Sequence, residues 1–196
     1  MLAPVEGSAL RTPAHSGEPR GARSVARDLA IGAGAVGLAA GAIAVRGVGA
    51  RGFIDAFFLV LLVLLSVIDI EQRILPNRII FPGAAIILVA QLAFFPHQAV
   101  DWLAAPVGAA GVFFLVRFIS PQGLGLGDVK LMFLLGAALG KTIAPAAFAG
   151  GVAAGLWALF LLVRHGSSAR KMAFPYGPFL ALGAAIAVFF VDPGSL

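Results

Sequence analysis

The sequence predicts an all-α, polytopic membrane protein with six to seven transmembrane helices. Of its residues, 60% are hydrophobic and only 12% are charged, whereas soluble domains average about 45–50% apolar and about 25% charged residues. The apolar residues form long uncharged runs rather than the alternation that is typical of a membrane β-barrel. A soluble domain of this size cannot bury so much apolar surface. Because the chain contains no cysteine, a disulfide scaffold and a cysteine-bound zinc site are excluded as well.

The apolar runs follow one another with short connections. Residues 1–28 are polar and rich in arginine, so we expect them to form a flexible, basic, cytoplasmic N-terminal segment ahead of a membrane-embedded domain at 29–196. A transmembrane helix needs about 20 apolar residues. Seven runs approach this length, of which the fifth is the shortest: 29–46, 53–70, 79–95, 101–119, 128–140, 142–164 and 176–192.

The distribution of lysine and arginine predicts the orientation. If the seven runs alternate across the membrane, eleven basic residues fall on the side of the N-terminus, and only Arg46, Arg51 and Lys141 fall on the other. Loops rich in basic residues stay in the cytoplasm, so we expect the N-terminus to be cytoplasmic. The net charge of +5 then reflects topology and contact with membrane lipids, and no nucleic-acid partner is expected.

Two carboxylates stand out because each adjoins an apolar run. Asp69 ends the second run, and Asp128 opens the fifth. Both therefore lie at the cytoplasmic boundary of the membrane in the seven-helix arrangement. Asp55 and Asp101 fall near the opposite surface, where the ends of helices tolerate charge, and Trp102 is expected there in an interfacial aromatic belt.

From the residues alone, three interpretations of Asp69 and Asp128 remain open. Two neighbouring carboxylates can share one proton and serve as the acid and base of an aspartic protease. Alternatively, Asp128 is only the N-cap of a helix and Asp69 only pairs with Arg73 one turn later. In the third interpretation, both line an ion or proton path.

A glycine-rich stretch leads into Asp128. Gly123, Gly125 and Gly127 permit unusual backbone angles and close approach of another chain, so an extended substrate strand is expected to pair with this backbone. Lys130, two residues after Asp128, either neutralises the site or extends to lipid headgroups. We include it with the glycines as a candidate substrate-binding residue. The histidines lack ligand spacing, so no metal site is expected.

Three stretches within residues 53–192 resemble the type IV prepilin peptidases, a family of membrane aspartic peptidases with a Gly-x-Gly-Asp motif. They are Ile-Asp-Ile-Glu-Gln-Arg-Ile-Leu-Pro-Asn (68–77), Gly-Leu-Gly-Leu-Gly-Asp-Val-Lys-Leu-Met (123–132) and Phe-Pro-Tyr-Gly-Pro-Phe-Leu-Ala-Leu-Gly (174–183). The third has Tyr176 where the family commonly has phenylalanine. A lone Gly-x-Gly-Asp is a weak signal, but three such stretches in order are specific.

The resemblance implies that Asp69 and Asp128 are catalytic and that residues 29–196 form a membrane-embedded peptidase domain without metal or cofactor. It implies cleavage of prepilin or pseudopilin leader peptides at the cytoplasmic face of the inner membrane. Since the chain has no cysteine, we expect a short form without the cysteine-containing N-methyltransferase domain. Two rival functions are a presenilin-like intramembrane protease, which shares Gly-x-Gly-Asp, and a small ion- or proton-coupled transporter.

Overall fold

The structure, a computed structural model, describes residues 22–119, 124–166 and 175–191, and the regular structure in these ranges is entirely helical. The predicted all-α class is therefore confirmed. Most of the predicted N-terminal segment, and Gly123, lie outside the described residues. The helices are α1 Ala22–Arg46, α2 Ala50–Gln72, α3 Asn77–Phe94, α4 Ala99–Ile119, α5 Leu126–Leu139, α6 Ile143–His165 and α7 Gly177–Phe190.

The helices agree closely with the predicted apolar runs, except that α1 begins at Ala22 rather than at residue 29. Within the described ranges, five helical stretches are long and apolar enough to cross a membrane, and the last of them spans Leu126–His165. This stretch contains α5 and α6, which a 3-10 turn at Gly140–Thr142 separates. Gly140 has a φ of 55°, a left-handed value that glycine adopts without steric cost. With 14 residues each, α5 and α7 are the short helices of the bundle.

Consecutive helices pack in pairs, α1 on α2, α4 on α5 and α6 on α7, while α3 contacts α5 and α7 contacts α2. Small residues bring two of these pairs close together. A Cβ on Gly136 of α5 would lie 2.5 Å from the Pro106 Cα of α4, and one on Gly183 of α7 would overlap the Ala146 carbonyl of α6. The buried core between the helices includes Phe58, Leu65, Ile80, Leu134, Leu135 and Leu180.

A buried charged cluster closes one end of the bundle. Asp55 of α2 is fully buried, and its Oδ2 lies 3.5 Å from Arg46 Nε and 3.3 Å from Arg51 Nε. Asp55 does lie near the start of α2, but its carboxylate is buried against two arginines rather than exposed at the end of the helix. Trp102 is also not in an interfacial belt, because it is only 2% exposed and lies under the Arg51 guanidinium, 5.2 Å from ring centre to Cζ.

The same cluster links further helices through hydrogen bonds. The buried Gln91 of α3 accepts from Arg51 Nη1 at 3.4 Å and donates to the Ala138 carbonyl of α5 at 3.1 Å. Arg46 donates to the Val191 carbonyl, just after α7, at 2.8 Å. These contacts join the ends of α1, α2, α3, α5 and α7. They lie about 21 Å along α2 from Asp69, at a rise of about 1.5 Å per residue.

Candidate active site

Asp69 lies in the last turn of α2, where it is only 7% exposed. The helix ends shortly afterwards because Arg73 adopts a left-handed conformation, with φ 53° and ψ 31°, and its N–H donates to the Asp69 carbonyl at 2.9 Å. Residues 74–76 then turn the chain into α3. Arg73 therefore contacts Asp69 through the backbone, and the alternative of an Asp69–Arg73 ion pair is not realised between these two described residues.

Asp128 is held within the first turn of α5. It is the third residue of that helix, and its Oδ2 accepts a hydrogen bond from the N–H of the capping residue Gly125 at 3.0 Å. This return bond stabilises a helix start and fixes the carboxylate. The alternative that Asp128 is only the N-cap of α5 is therefore wrong, because Gly125 is the N-cap and Asp128 is the third residue of the helix.

Asp69 and Asp128 meet at one cavity, although they are far apart in the sequence. The cavity has a volume of about 300 Å³ and is lined by Asp69, Arg73, Ile74, Leu75, Gly125, Leu126, Gly127, Asp128 and Lys130. Two carboxylates, contributed by α2 and α5, thus lie beside two basic side chains. Carboxylates close together in a partly buried site can share a proton, which an acid–base reaction requires.

The glycines of this cavity are needed for space rather than for unusual backbone angles. Gly125 has φ −76° and ψ 151°, which is ordinary extended backbone. A Cβ on Gly127 would lie 3.2 Å from Leu75 Cδ1, so this glycine lets the start of α5 pack against the segment after α2. Lys130 lines the cavity too, and its Nζ donates to Asn77 Oδ1 of α3 at 2.8 Å.

A third helix reaches Asp69, and sequence reasoning assigned no role to it. The N–H of Gly177, the first residue of α7, donates to Asp69 Oδ2 at 3.1 Å. The preceding Tyr176 is half-buried, and this burial, together with the charge of Asp128, raises the pKa of its phenol above the ordinary value. Both residues belong to the third stretch of family resemblance (174–183), but the resemblance did not indicate that this stretch contacts Asp69.

Sequence similarity to known proteins identifies the family of this chain. A model of the type IV leader peptidase family matches residues 56–163. The chain belongs to that family. It is 32% identical over 138 residues to the prepilin leader peptidase/N-methyltransferase of Bacillus subtilis, covering 69% of this chain and 54% of that protein. It is 31% identical over 188 residues to the protein of the same name from Burkholderia pseudomallei, covering 91% and 58%.

A Pseudomonas putida protein of the same name is 30% identical over 142 residues, covering 67% of this chain and 47% of the relative. No solved structure matches this chain. The chain spans about half the length of the curated relatives it matches. The family match, at residues 56–163, includes both Asp69 and Asp128 and ends before α7.

Proposed function

We propose that this chain is an aspartic endopeptidase that cleaves the leader peptide of prepilin-like precursors, with Asp69 and Asp128 as its catalytic pair. One observation carries the proposal: carboxylates from α2 and α5 line a single cavity of about 300 Å³. Membership of the type IV leader peptidase family supports the reaction class. The names of the relatives from Bacillus subtilis and Burkholderia pseudomallei support a prepilin substrate.

The chemistry needs one ionised and one protonated carboxyl. The ionised member removes a proton from water, and the water oxygen attacks the carbonyl carbon of the scissile peptide. The protonated member donates to the carbonyl oxygen, which gives a neutral tetrahedral intermediate. When the carbon–nitrogen bond breaks, the protonated member donates its proton to the leaving amine, and the ionised member takes a proton from a hydroxyl of the intermediate as the new carboxyl group forms. One shared proton then again remains between Asp69 and Asp128.

The cavity supplies groups that suit an extended substrate strand. Gly125 and Gly127 line the cavity beside Asp128, and Gly123, the third glycine of the motif, lies outside the described residues. An extended strand pairs with a backbone edge through main-chain hydrogen bonds. The ammonium of Lys130 lies on the same cavity, where it would attract the polarised peptide carbonyl. We therefore assign these four residues to substrate binding.

The proposal places the cavity at the cytoplasmic face of the inner membrane. Arg73 and Lys130 line the cavity, whereas Arg46 and Arg51 lie at the opposite end of the bundle. Among the described residues, Arg78 at the start of α3 and Arg117 at the end of α4 lie at the cavity end as well. The positive-inside rule then favours this end as the cytoplasmic one.

The test is co-expression with a candidate prepilin, followed by separation of precursor and mature forms. We expect Asp69→Asn and Asp128→Asn to abolish cleavage separately, because a single carboxyl cannot act as both acid and base. Asp101→Asn is the matched control. Asp101 is an acidic residue of α4 that pairs with Lys141 at 3.3 Å, away from the cavity, so this variant should cleave like the wild type.

The product and a transport assay distinguish the rival functions. A cut at the boundary before the hydrophobic segment of the precursor supports the proposal, whereas a cut inside that segment favours an intramembrane protease. If either aspartate variant still processes the precursor, the catalytic assignment is wrong. Ion-dependent flux in liposomes, without proteolysis, would indicate a transporter instead.

A further inference from the structure

The start of α7 contacts the Asp69 carboxylate directly. Gly177 is buried, and its N–H donates to Asp69 Oδ2 at 3.1 Å. The first N–H groups of a helix have no acceptor within that helix, and the helix dipole gives this end a partial positive charge. Asp69 therefore supplies from α2 the acceptor that a capping side chain would otherwise provide. The family match ends at residue 163, before this contact.

Only glycine fits at this position without displacing the carboxylate. A Cβ on Gly177 would lie 2.6 Å from Asp69 Oδ2 and 3.2 Å from its Cγ. Contacts this short do not persist, so one of the two groups would have to move. A larger residue at position 177 would therefore displace the Asp69 carboxylate, and glycine is required here because there is no space for a side chain.

The donor is held rigidly because α7 is packed closely on α6. A Cβ on Gly150 of α6 would lie 3.0 Å from the Leu180 Cα, and Leu180 is fully buried. Within α7, the N–H groups of Phe179 and Leu180 both donate to the Tyr176 carbonyl, at 3.1 and 3.3 Å. The Gly177 amide is therefore fixed in place by the bundle rather than by Asp69.

We propose that Gly177 is a positioning residue for peptide cleavage, because its N–H fixes the orientation of Asp69 and favours the carboxylate form of that residue within the catalytic pair. A hydrogen bond to the charged form of an acid stabilises that form. This inference rests on the proposed function. Among the described residues, the other charged groups on the cavity of Asp69 are Asp128 and Lys130 of α5 and Arg73 at the end of α2. The titratable Tyr176 directly precedes Gly177 and responds to the charge of Asp128.

The first test is Gly177→Ala in the full chain, assayed on a prepilin substrate. Losing a hydrogen bond to a charged group predicts that kcat falls by about tenfold or more, with KM nearly unchanged. The acid limb of the pH–activity profile should move to higher pH by about one unit, since the carboxylate form is less favoured. Loss of packing alone would lower the amount of folded enzyme without moving this limb.

Two glycine variants serve as controls. Gly52→Ala disturbs the connection between α1 and α2 at the opposite end of the bundle, because its Cβ would overlap the Gly47 carbonyl. It should reduce abundance and leave the pH profile of the folded enzyme unchanged. Gly155→Ala adds a methyl group where no atom lies within 4 Å, so it should resemble the wild type in both respects.

If Gly177→Ala does not fold, the contact can be tested in protein that keeps Gly177. In enzyme labelled with nitrogen-15 glycine, the Gly177 amide proton resonance should move with pH, and Asp69→Asn should abolish this movement. A resonance indifferent to pH and to Asp69→Asn overturns the positioning role, as does a Gly177→Ala enzyme with wild-type kcat and pH profile. Either result leaves the proposed function intact, because that function is tested separately by cleavage in Asp69→Asn and Asp128→Asn.

Discussion

Asp55 and Arg51 form an ion pair at the end of the bundle opposite the cavity, with 3.3 Å between Asp55 Oδ2 and Arg51 Nε, and the aspartate is fully buried. Arg46 approaches the same oxygen at 3.5 Å. One carboxylate thus compensates two partly buried guanidinium groups. Charges removed from water are tolerated only with such partners, so this cluster determines whether the ends of α1 and α2 can be buried together.

We expect Asp55→Ala to destabilise the protein strongly. The substitution leaves Arg46 and Arg51 buried without their anion, and breaking a buried pair in this way costs about 3–5 kcal/mol. Asp101→Ala is the matched control, because the Asp101–Lys141 pair is partly exposed and such pairs contribute less than about 1 kcal/mol. Unfolding titrations in detergent micelles measure both. If both variants lose the same free energy of unfolding, the buried cluster contributes no more to stability than an exposed ion pair does.

The contact between Lys130 and Asn77 separates two roles of that lysine. If its charge acts on the substrate, Lys130→Met should lower kcat/KM by about two- to fivefold, the range of one solvent-exposed charge interaction. Asn77→Ala removes the hydrogen bond of 2.8 Å but keeps the charge, so it should cleave nearly as well as the wild type. Steady-state kinetics on a purified precursor decides the matter. Equal defects in both variants would mean that Lys130 only links α5 to α3.

The phenol of Tyr176 should not contribute to the pH dependence. Its pKa is raised above the ordinary value of a tyrosine, first by burial and then by the charge of Asp128, so the phenol is neutral throughout the assay range. We therefore expect Tyr176→Phe to leave the pH–activity profile unchanged between about pH 5 and 9. A basic limb that disappears in this variant would contradict that expectation.

The orientation can be tested by thiol labelling, because the chain has no native cysteine. Val48 is 85% exposed between α1 and α2, and Arg78 is exposed near the start of α3, at the cavity end. In intact cells or spheroplasts, a membrane-impermeant maleimide should label Val48→Cys and spare Arg78→Cys until the membrane is opened. The reverse pattern would place the cavity outside the cytoplasm.

The helix boundaries could be predicted from the sequence, whereas the contacts between helices could not. Each span is a long uncharged run, and the bilayer fixes the length of such runs. The hydropathy of α5 and α7 is high on all sides, so it does not indicate which face meets another helix. For this reason the pairing of Asp55 with two arginines and the contact of Gly177 with Asp69 were missed. Asp69 and Asp128 were found because each is a carboxylate beside an apolar run.

The brevity of α5 and α7 has a consequence for the surrounding lipid. At about 1.5 Å per residue, their 14 residues rise only about 21 Å, less than the roughly 30 Å of a hydrocarbon core. Because α5 is mostly buried whereas Leu182 and Phe190 of α7 are exposed, we expect acyl chains beside α7 to shorten or splay, at a cost that grows with each ångström of mismatch. A bilayer that is thinner at this point would shorten the distance that water must cross to reach Asp69 and Asp128.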